Sequence, residues 1–171
     1  MAGWEIVGKS EKQKIEEIFD KNHGVAFAHG FDAIRKEYYV RELETYTKNY
    51  VWSRYCQAVS SGSAGLYCAL KSLGIKKGDE VITSAFTFVA TVEAIILAGG
   101  KPICVNIGED YNIDPAEIKK KITKKTKAII PVHMAGNPCD MNEIKKFGIP
   151  IIEDACQALG AQYDGKHVGT I

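Results

Sequence analysis

Apolar residues change their spacing near residue 60. Before it they recur at intervals of three and four, as Ile15, Ile18 and Phe19 and then as Val40, Leu43 and Tyr50, with Thr47 at the intervening position of the same face. That is the spacing of one face of a helix. Ser10-x-x-Gln13 has the form of a capping box and predicts where the first helix opens. The second helix is expected from about Arg35 onward, after a loop rich in Gly, His and Phe (His23-Gly24 to His29-Gly30-Phe31).

After residue 60, short apolar runs alternate with helical patterns. Strands are expected over 80–83, 102–107, 128–133 and 150–153. Between them, a Ser60-Ser61-Gly62-Ser63 turn opens a helix carrying Leu66, Leu70 and Leu73, and 89–97 reads as an apolar helix closed by Gly99-Gly100. Asp114-Pro115-x-Glu117 and Asp140-x-x-Glu143 each supply a cap and an acid at the third helical position, the first with proline at N1. Tyr163-Asp164-Gly165-Lys166 reads as a hairpin turn. Unbroken apolar strands alternating with helices predict an α/β fold, a mainly parallel sheet covered on both faces. The expected division is a helical segment over 1–55 and a partial α/β domain over 56–171. Ligands of such sheets sit outside the carboxyl ends of the strands, here the loops after Thr83, His133 and Ile152.

Composition narrows the function classes. Hydrophobic residues make up 46% and charged residues 25% of 171, and 22 basic against 21 acidic residues leave a net charge of +1. Such a balance provides no broad basic surface for nucleic acid or anionic lipid. No apolar run approaches the roughly 18 residues of a membrane span, and Met1-Ala2-Gly3-Trp4-Glu5 lacks a basic start and an apolar stretch. A cytoplasmic protein that binds neither nucleic acid nor membrane is expected. Five widely spaced cysteines without a C-x-x-C pair fit neither a disulfide framework nor a zinc site, so reduced and mostly buried thiols, and no metal, are expected.

Candidate chemistry gathers at the strand ends. Ser61-Gly62-Ser63-Ala64-Gly65 ahead of a helix can direct backbone N–H groups at an anion, with the helix dipole adding to the attraction. It is neither G-x-G-x-x-G nor a P-loop nor a nucleophile elbow. Glu153-Asp154 places two carboxylates at the end of an apolar run, where they serve as strand-end polarity or as functional acids. Phe86 and Phe88 follow the strand ending at Thr83 and are packing residues or the cover of a flat ring. His133, alone at a strand end, reads as a packing histidine. A phosphate turn, an aromatic and an acid in this order suit one ligand with a phosphate, a flat ring and a basic ring nitrogen, and pyridoxal phosphate (PLP) has all three. An acid beside the pyridine nitrogen keeps it protonated and preserves the electron sink of PLP chemistry.

The stretches Ser60-Ser61-Gly62-Ser63-Ala64, Lys77-Gly78-Asp79-Glu80-Val81-Ile82, Phe86-Thr87-Phe88-Val89-Ala90-Thr91, Thr126 to His133 and Ile152-Glu153-Asp154-Ala155-Cys156-Gln157-Ala158 together resemble the DegT/DnrJ/StrS sugar aminotransferases, a branch of the fold-type I PLP enzymes. The resemblance implies that Ser63 and Ala64 bind the cofactor phosphate. It also implies that Phe88 stacks on the ring, Asp154 pairs with the pyridine nitrogen as the catalytic acid present in this chain, and Gln157 bonds near the ring hydroxyl. It implies a homodimer that transfers an amino group, from a donor such as glutamate, to a keto sugar nucleotide for polysaccharide or antibiotic-sugar synthesis. Gly65 and Ser63 stand where Ala and Thr are commoner, and Cys156 and Leu159 where a small residue and a histidine are usual. The family's Schiff-base lysine is expected downstream of Val168-Gly169, so this chain is read as an N-terminal portion without it; Lys166 lies too early for that role. A PLP-dependent sugar dehydratase of the same fold and a non-catalytic remnant are the alternatives.

Overall fold

The computed structural model describes residues 6–22 and 38–171, and the chain divides into two compact units, residues 1–47 and 48–171. Two helices, α1 (Lys9–Asn22) and α2 (Tyr39–Tyr50), precede the α/β part, and the division falls inside α2. The capping box expected at Ser10 does not form. Ser10 lies within the first turn, and it is Glu11 that reaches back to accept the Gly8 N–H at 2.6 Å. An acid at the third helical position complements the helix dipole as well as the orphan donor, which sets the start two residues earlier. Of the three apolar positions on α1, Ile18 is buried while Ile15 and Phe19 are exposed. The loop from His23 to Phe31 and the expected start of α2 at Arg35 lie outside the described residues.

The second unit is an α/β layer structure. Its elements are α3 (Gly62–Ser72), β1 (Glu80–Ser84), α4 (Val89–Ala98), β2 (Lys101–Val105), α5 (Pro115–Lys121), β3 (Thr126–Ile130), α6 (Met141–Lys145), β4 (Gln162–Tyr163) and β5 (Lys166–His167). The sheet is parallel with strand order β2-β1-β3. Alternation along the strands divides the core. Val81, Ala128 and Ile130 meet Leu70 of α3 and Ala94, Ile95 and Ala98 of α4 on one face. Ile82 and Ile129 meet Ile118 of α5 and Met141 and Ile144 of α6 on the other. Both faces are therefore covered, as the apolar strands require. Leu73 is the C-cap of α3 and exposed, and Gly74 at φ 75° then turns the chain out of the helix.

The expected strand over 150–153 is reduced to two parallel bridges, Ile151 to Ile129 and Asp154 to Val132. The rungs Ile129 N–H to Pro150 O, Ile152 N–H to Ile129 O, Asp154 N–H to Pro131 O and His133 N–H to Asp154 O form at 2.9–3.1 Å. The rung between the second and third would need an N–H on Pro131, which proline lacks. The same residue ends β3 at Ile130, three residues before its expected end. β2 likewise stops at Val105, and Ile107 turns to bridge Ile113 in antiparallel sense. The Tyr163–Lys166 hairpin forms as read, joining β4 and β5. The thiols are not mostly buried: Cys68, Cys104 and Cys156 are exposed, Cys56 is half-buried and Cys139 alone is buried. Small apolar residues on a helix's outer side or an edge strand such as β2 have no second layer to bury them.

Candidate functional site

The chain runs from β1 through α4 to β2 on one side of β1, then through α5 to β3 on the other side. The order of the strands reverses between β1 and β3, and the carboxyl ends of those two strands are the place where sheets of this kind hold ligands. Helix α4 follows β1, and the segment 131–136 and Asp154 extend β3 and its neighbour.

Helix α3 reaches the same edge. Its C-terminal end lies beside that of α4, where Lys71 Nζ donates to Ala98 O at 3.3 Å and a Cβ on Gly100 would fall 2.9 Å from Ile75 Cγ2. Leu66 and Leu70 pack against the same cluster as α4, so the two helices run side by side in one direction. Eleven helical residues span about 16 Å, the length of a five-residue strand. The N-terminus of α3 is thus carried to the carboxyl edge. Ser61 caps it, its Oγ accepting the Ala64 N–H at 3.1 Å. The Gly62 and Ser63 N–H groups and the Ser63 hydroxyl have no acceptor among the described residues, and a Cβ on Gly62 would meet nothing within 4 Å. Of the pair Ser63 and Ala64, then, Ser63 keeps a backbone donor that has no partner among the described residues and Ala64 spends its own on the cap.

Phe88 is the N-cap of α4, 70% exposed as a residue and with no side-chain cap bond. Three residues on, Thr91 is buried, and its Oγ1 donates to Asp154 Oδ2 at 3.2 Å. The other carboxylate oxygen, Oδ1, accepts the Cys156 N–H at 3.2 Å. Asp154 is therefore tied to the helix that begins with Phe88. Phe86, also exposed, lies beside Tyr111 with ring centroids 5.8 Å apart.

The two consecutive acids do different things. Glu153 points to the opposite side from Asp154, where His133 Nε2 lies 3.1 Å from its Oε2 and the Gly169 and Ile171 N–H groups donate at 2.8 and 2.6 Å. His133 Nδ1 accepts the Cys139 N–H at 3.0 Å, so the ring's proton must sit on Nε2 and be donated to Glu153. Burial pushes the Glu153 carboxyl upward, but the hydrogen bonds from His133, Gly169 and Ile171 outweigh it and leave the group below its ordinary value. His133 is a satisfied packing histidine. Burial pushes the neighbouring Cys139 thiol up to about 12.

Gln157 closes the edge. Its Oε1 accepts the Ala135 N–H at 2.9 Å, which leaves the Nε2 donors without a partner among the described residues. Ala135 is held at φ 51° inside a 3₁₀ turn, Met134–Gly136. Beneath it, the buried Asn112 accepts the Met134 N–H and donates to the Asn137 and Pro138 carbonyls and to Asp110. The sequence reading missed both Asn112 and Thr91. Thr91 had a signal, as one of two polar residues, with Glu93, in a mostly apolar helix; for Asn112 only the local bond to Asp110 was within reach of the sequence, since its other partners are 22–26 residues away.

A family model described as the DegT/DnrJ/EryC1/StrS aminotransferase family matches residues 9–171. Among curated proteins, a pleiotropic regulatory protein of Geobacillus stearothermophilus is 46% identical over 138 residues, covering 78% of this chain and 37% of that protein. Among solved structures, NtdA of Bacillus subtilis with bound cofactor PMP is 34% identical with a TM-score of 0.80 over 95% of this chain and 37% of that one. A Streptococcus pneumoniae protein named as a sugar aminotransferase, in its PMP form, is 28% identical with a TM-score of 0.81 over 94% of this chain and 43% of that one. The chain spans little more than a third of the length of the curated relatives it matches, 35% and 37% for two of them.

Proposed function

The chain belongs to the DegT/DnrJ/EryC1/StrS aminotransferase family, and from that premise we propose that it carries the cofactor-binding part of a PLP-dependent aminotransferase acting on keto sugar nucleotides. Residues 56–171 would form the cofactor-bearing domain. One observation carries the reading: a helix N-terminus with free donors, an exposed aromatic and a tethered carboxylate share the carboxyl edge at the point where strand order reverses.

The residues fit the cofactor by their chemistry. The free Gly62 and Ser63 N–H groups and the Ser63 hydroxyl would hold the phosphate, with Ala64 keeping the turn in shape through its bond to Ser61. Phe88 would cover the ring. Asp154 would hold a proton on the pyridine nitrogen, and its bonds from Thr91 and Cys156 keep the carboxylate oriented to do so. Gln157, its carbonyl held by Ala135, would donate through Nε2 to the ring hydroxyl. When bound, PLP supplies the electron sink for breaking bonds at the substrate carbon. The family's amino donor, such as glutamate, its homodimeric assembly and its cytoplasmic setting are taken over with the reading. A dehydratase of the same fold would use the same residues. A regulatory role is favoured by the likeness to the Geobacillus protein, and a regulator would keep cofactor binding without turnover.

Titrating the protein with PLP and following its absorbance tests this. Saturable binding is expected, weakened at least about tenfold by Asp154→Asn, which exchanges an ion pair for a neutral hydrogen bond. In the active enzyme the same change is expected to cut turnover by orders of magnitude with the fold intact. A loss below about tenfold, ~1.4 kcal/mol of barrier, would show that Asp154 is not the partner of the ring nitrogen.

A further inference from the structure

We propose that Thr91, backed by Thr87, is the positioning residue that fixes the Asp154 carboxylate. The inference rests on the cofactor reading of Asp154 and adds to it two residues that do not touch the cofactor ring in that reading. Thr91 Oγ1 lies 3.2 Å from Asp154 Oδ2 and 2.9 Å from Thr87 Oγ1. A carboxylate only accepts, so the one hydroxyl hydrogen of Thr91 is spent on Asp154. The hydrogen between the two threonines must then come from Thr87. The chain of donation runs in one direction, Thr87 to Thr91 to Asp154.

The burial of its central member gives this chain its effect. Thr91 is 1% exposed, in the first turn of a helix whose other buried residues are Ala90, Ala94, Ile95 and Ala98. A hydroxyl there cannot exchange its partners for water, and both of its bonds are made within the protein. An aspartate's terminal torsion is broad, so a half-buried carboxylate held at one oxygen alone can swing about it. Cys156 N–H holds Oδ1 and Thr91 holds Oδ2, and the two bonds together set the plane of the group. Each oxygen keeps a further acceptor site. Thr91 also ties that plane to α4, the helix that Phe88 opens, so the acid is tethered to the element that carries the aromatic. Thr87, left with acceptor capacity only, stands between Phe86 and Phe88 and can take a donated hydrogen bond from whatever approaches this edge.

Thr91→Val keeps the shape of the side chain and removes the hydroxyl; Thr91→Ser keeps the hydroxyl. Two readouts separate positioning from packing: the Cys156 amide resonance in a ¹H–¹⁵N spectrum, measured without cofactor, and the affinity for PLP measured by absorbance. Thr91→Val is expected to move the Cys156 resonance and to weaken PLP binding about tenfold, the usual weight of a hydrogen bond to a charged group. Thr91→Ser should restore both, and Thr87→Val should move both in the same direction by less. A folded Thr91→Val with the wild-type Cys156 resonance and wild-type affinity overturns the proposal. If that variant does not fold, Thr87→Val decides: wild-type values in both readouts overturn it. Should the wild-type protein take up no PLP while Thr91→Val still moves Cys156, the positioning role holds and the cofactor reading falls.

Discussion

His133 and Glu153, twenty residues apart, meet through a hydrogen bond of 3.1 Å in which the wholly buried imidazole donates from Nε2. Because Cys139 N–H occupies Nδ1, the tautomer is set by the backbone and not by the acid. Glu153 in turn gathers the Gly169 and Ile171 N–H groups. A carboxyl whose folded value lies below its unfolded one stabilises the fold above its unfolded pKa of about 4.3, and the contribution fades as pH falls through the lower folded value. Stability should therefore drop below about pH 4.3, and Glu153→Gln should flatten that part of the profile in urea denaturation followed against pH. Glu153→Ala at neutral pH should cost about 2–3 kcal/mol, because it strands a buried imidazole donor. An unchanged acid limb in Glu153→Gln would show that another group governs it.

Asn112 is a hub within the loops that support the candidate site. It serves the Met134 N–H and the Asn137 and Pro138 carbonyls at 3.1–3.2 Å while almost fully buried. Asn112→Ala leaves those groups without their side-chain partner and should destabilise the protein by about 2–4 kcal/mol. Amide exchange should quicken at Met134 and Ala135 before it does in β1. Wild-type protection across 133–139 would refute the role.

Gly100 has an ordinary backbone conformation but no room for a side chain. A Cβ there would stand 2.9 Å from Ile75 Cγ2 and 3.2 Å from Ile95 Cγ2, both on stiff β-branched residues in the core. Gly100→Ala should cost about 1–3 kcal/mol by overpacking, read as a lower urea midpoint with unchanged slope. A neutral or stabilising result would mean that the α3–α4 contact yields more easily than its packing indicates.

The cysteines should react in two classes. Cys68, Cys104 and Cys156 are exposed and should be modified by a thiol reagent in the native protein. Cys139 should resist until the protein unfolds, since it is buried, its thiol is pushed up to about 12 and its Sγ lies 3.2 Å from Val132 O. Peptide mapping after brief labelling reads this directly, and early modification of Cys139 would contradict the packing around β3.

Local chemistry was enough to place most of the elements. The Asp114 and Asp140 caps, the turn before α3, the Gly99 stop and the Tyr163–Lys166 hairpin are written in residues close together in the chain. Propensity and capping act over a turn or two, so such features are legible without the fold. The strand that Pro131 interrupts shows the limit. The apolar run predicted a strand, but the missing rung depends on which residue pairs with which across the ladder.

Glu153 and Asp154 show what tertiary structure alone decided. By themselves they are two adjacent carboxylates at the end of an apolar run, equally suited to either task. The fold sends one to His133 and the segment at Gly169–Ile171, and the other to Thr91 and Cys156. Adjacent residues of an extended segment face opposite sides, so the sequence by itself determined that the two acids would part. Which faced the Phe88 edge was decided by long-range register, the pairing of Val132 with Asp154, because a shift of one residue would exchange their roles.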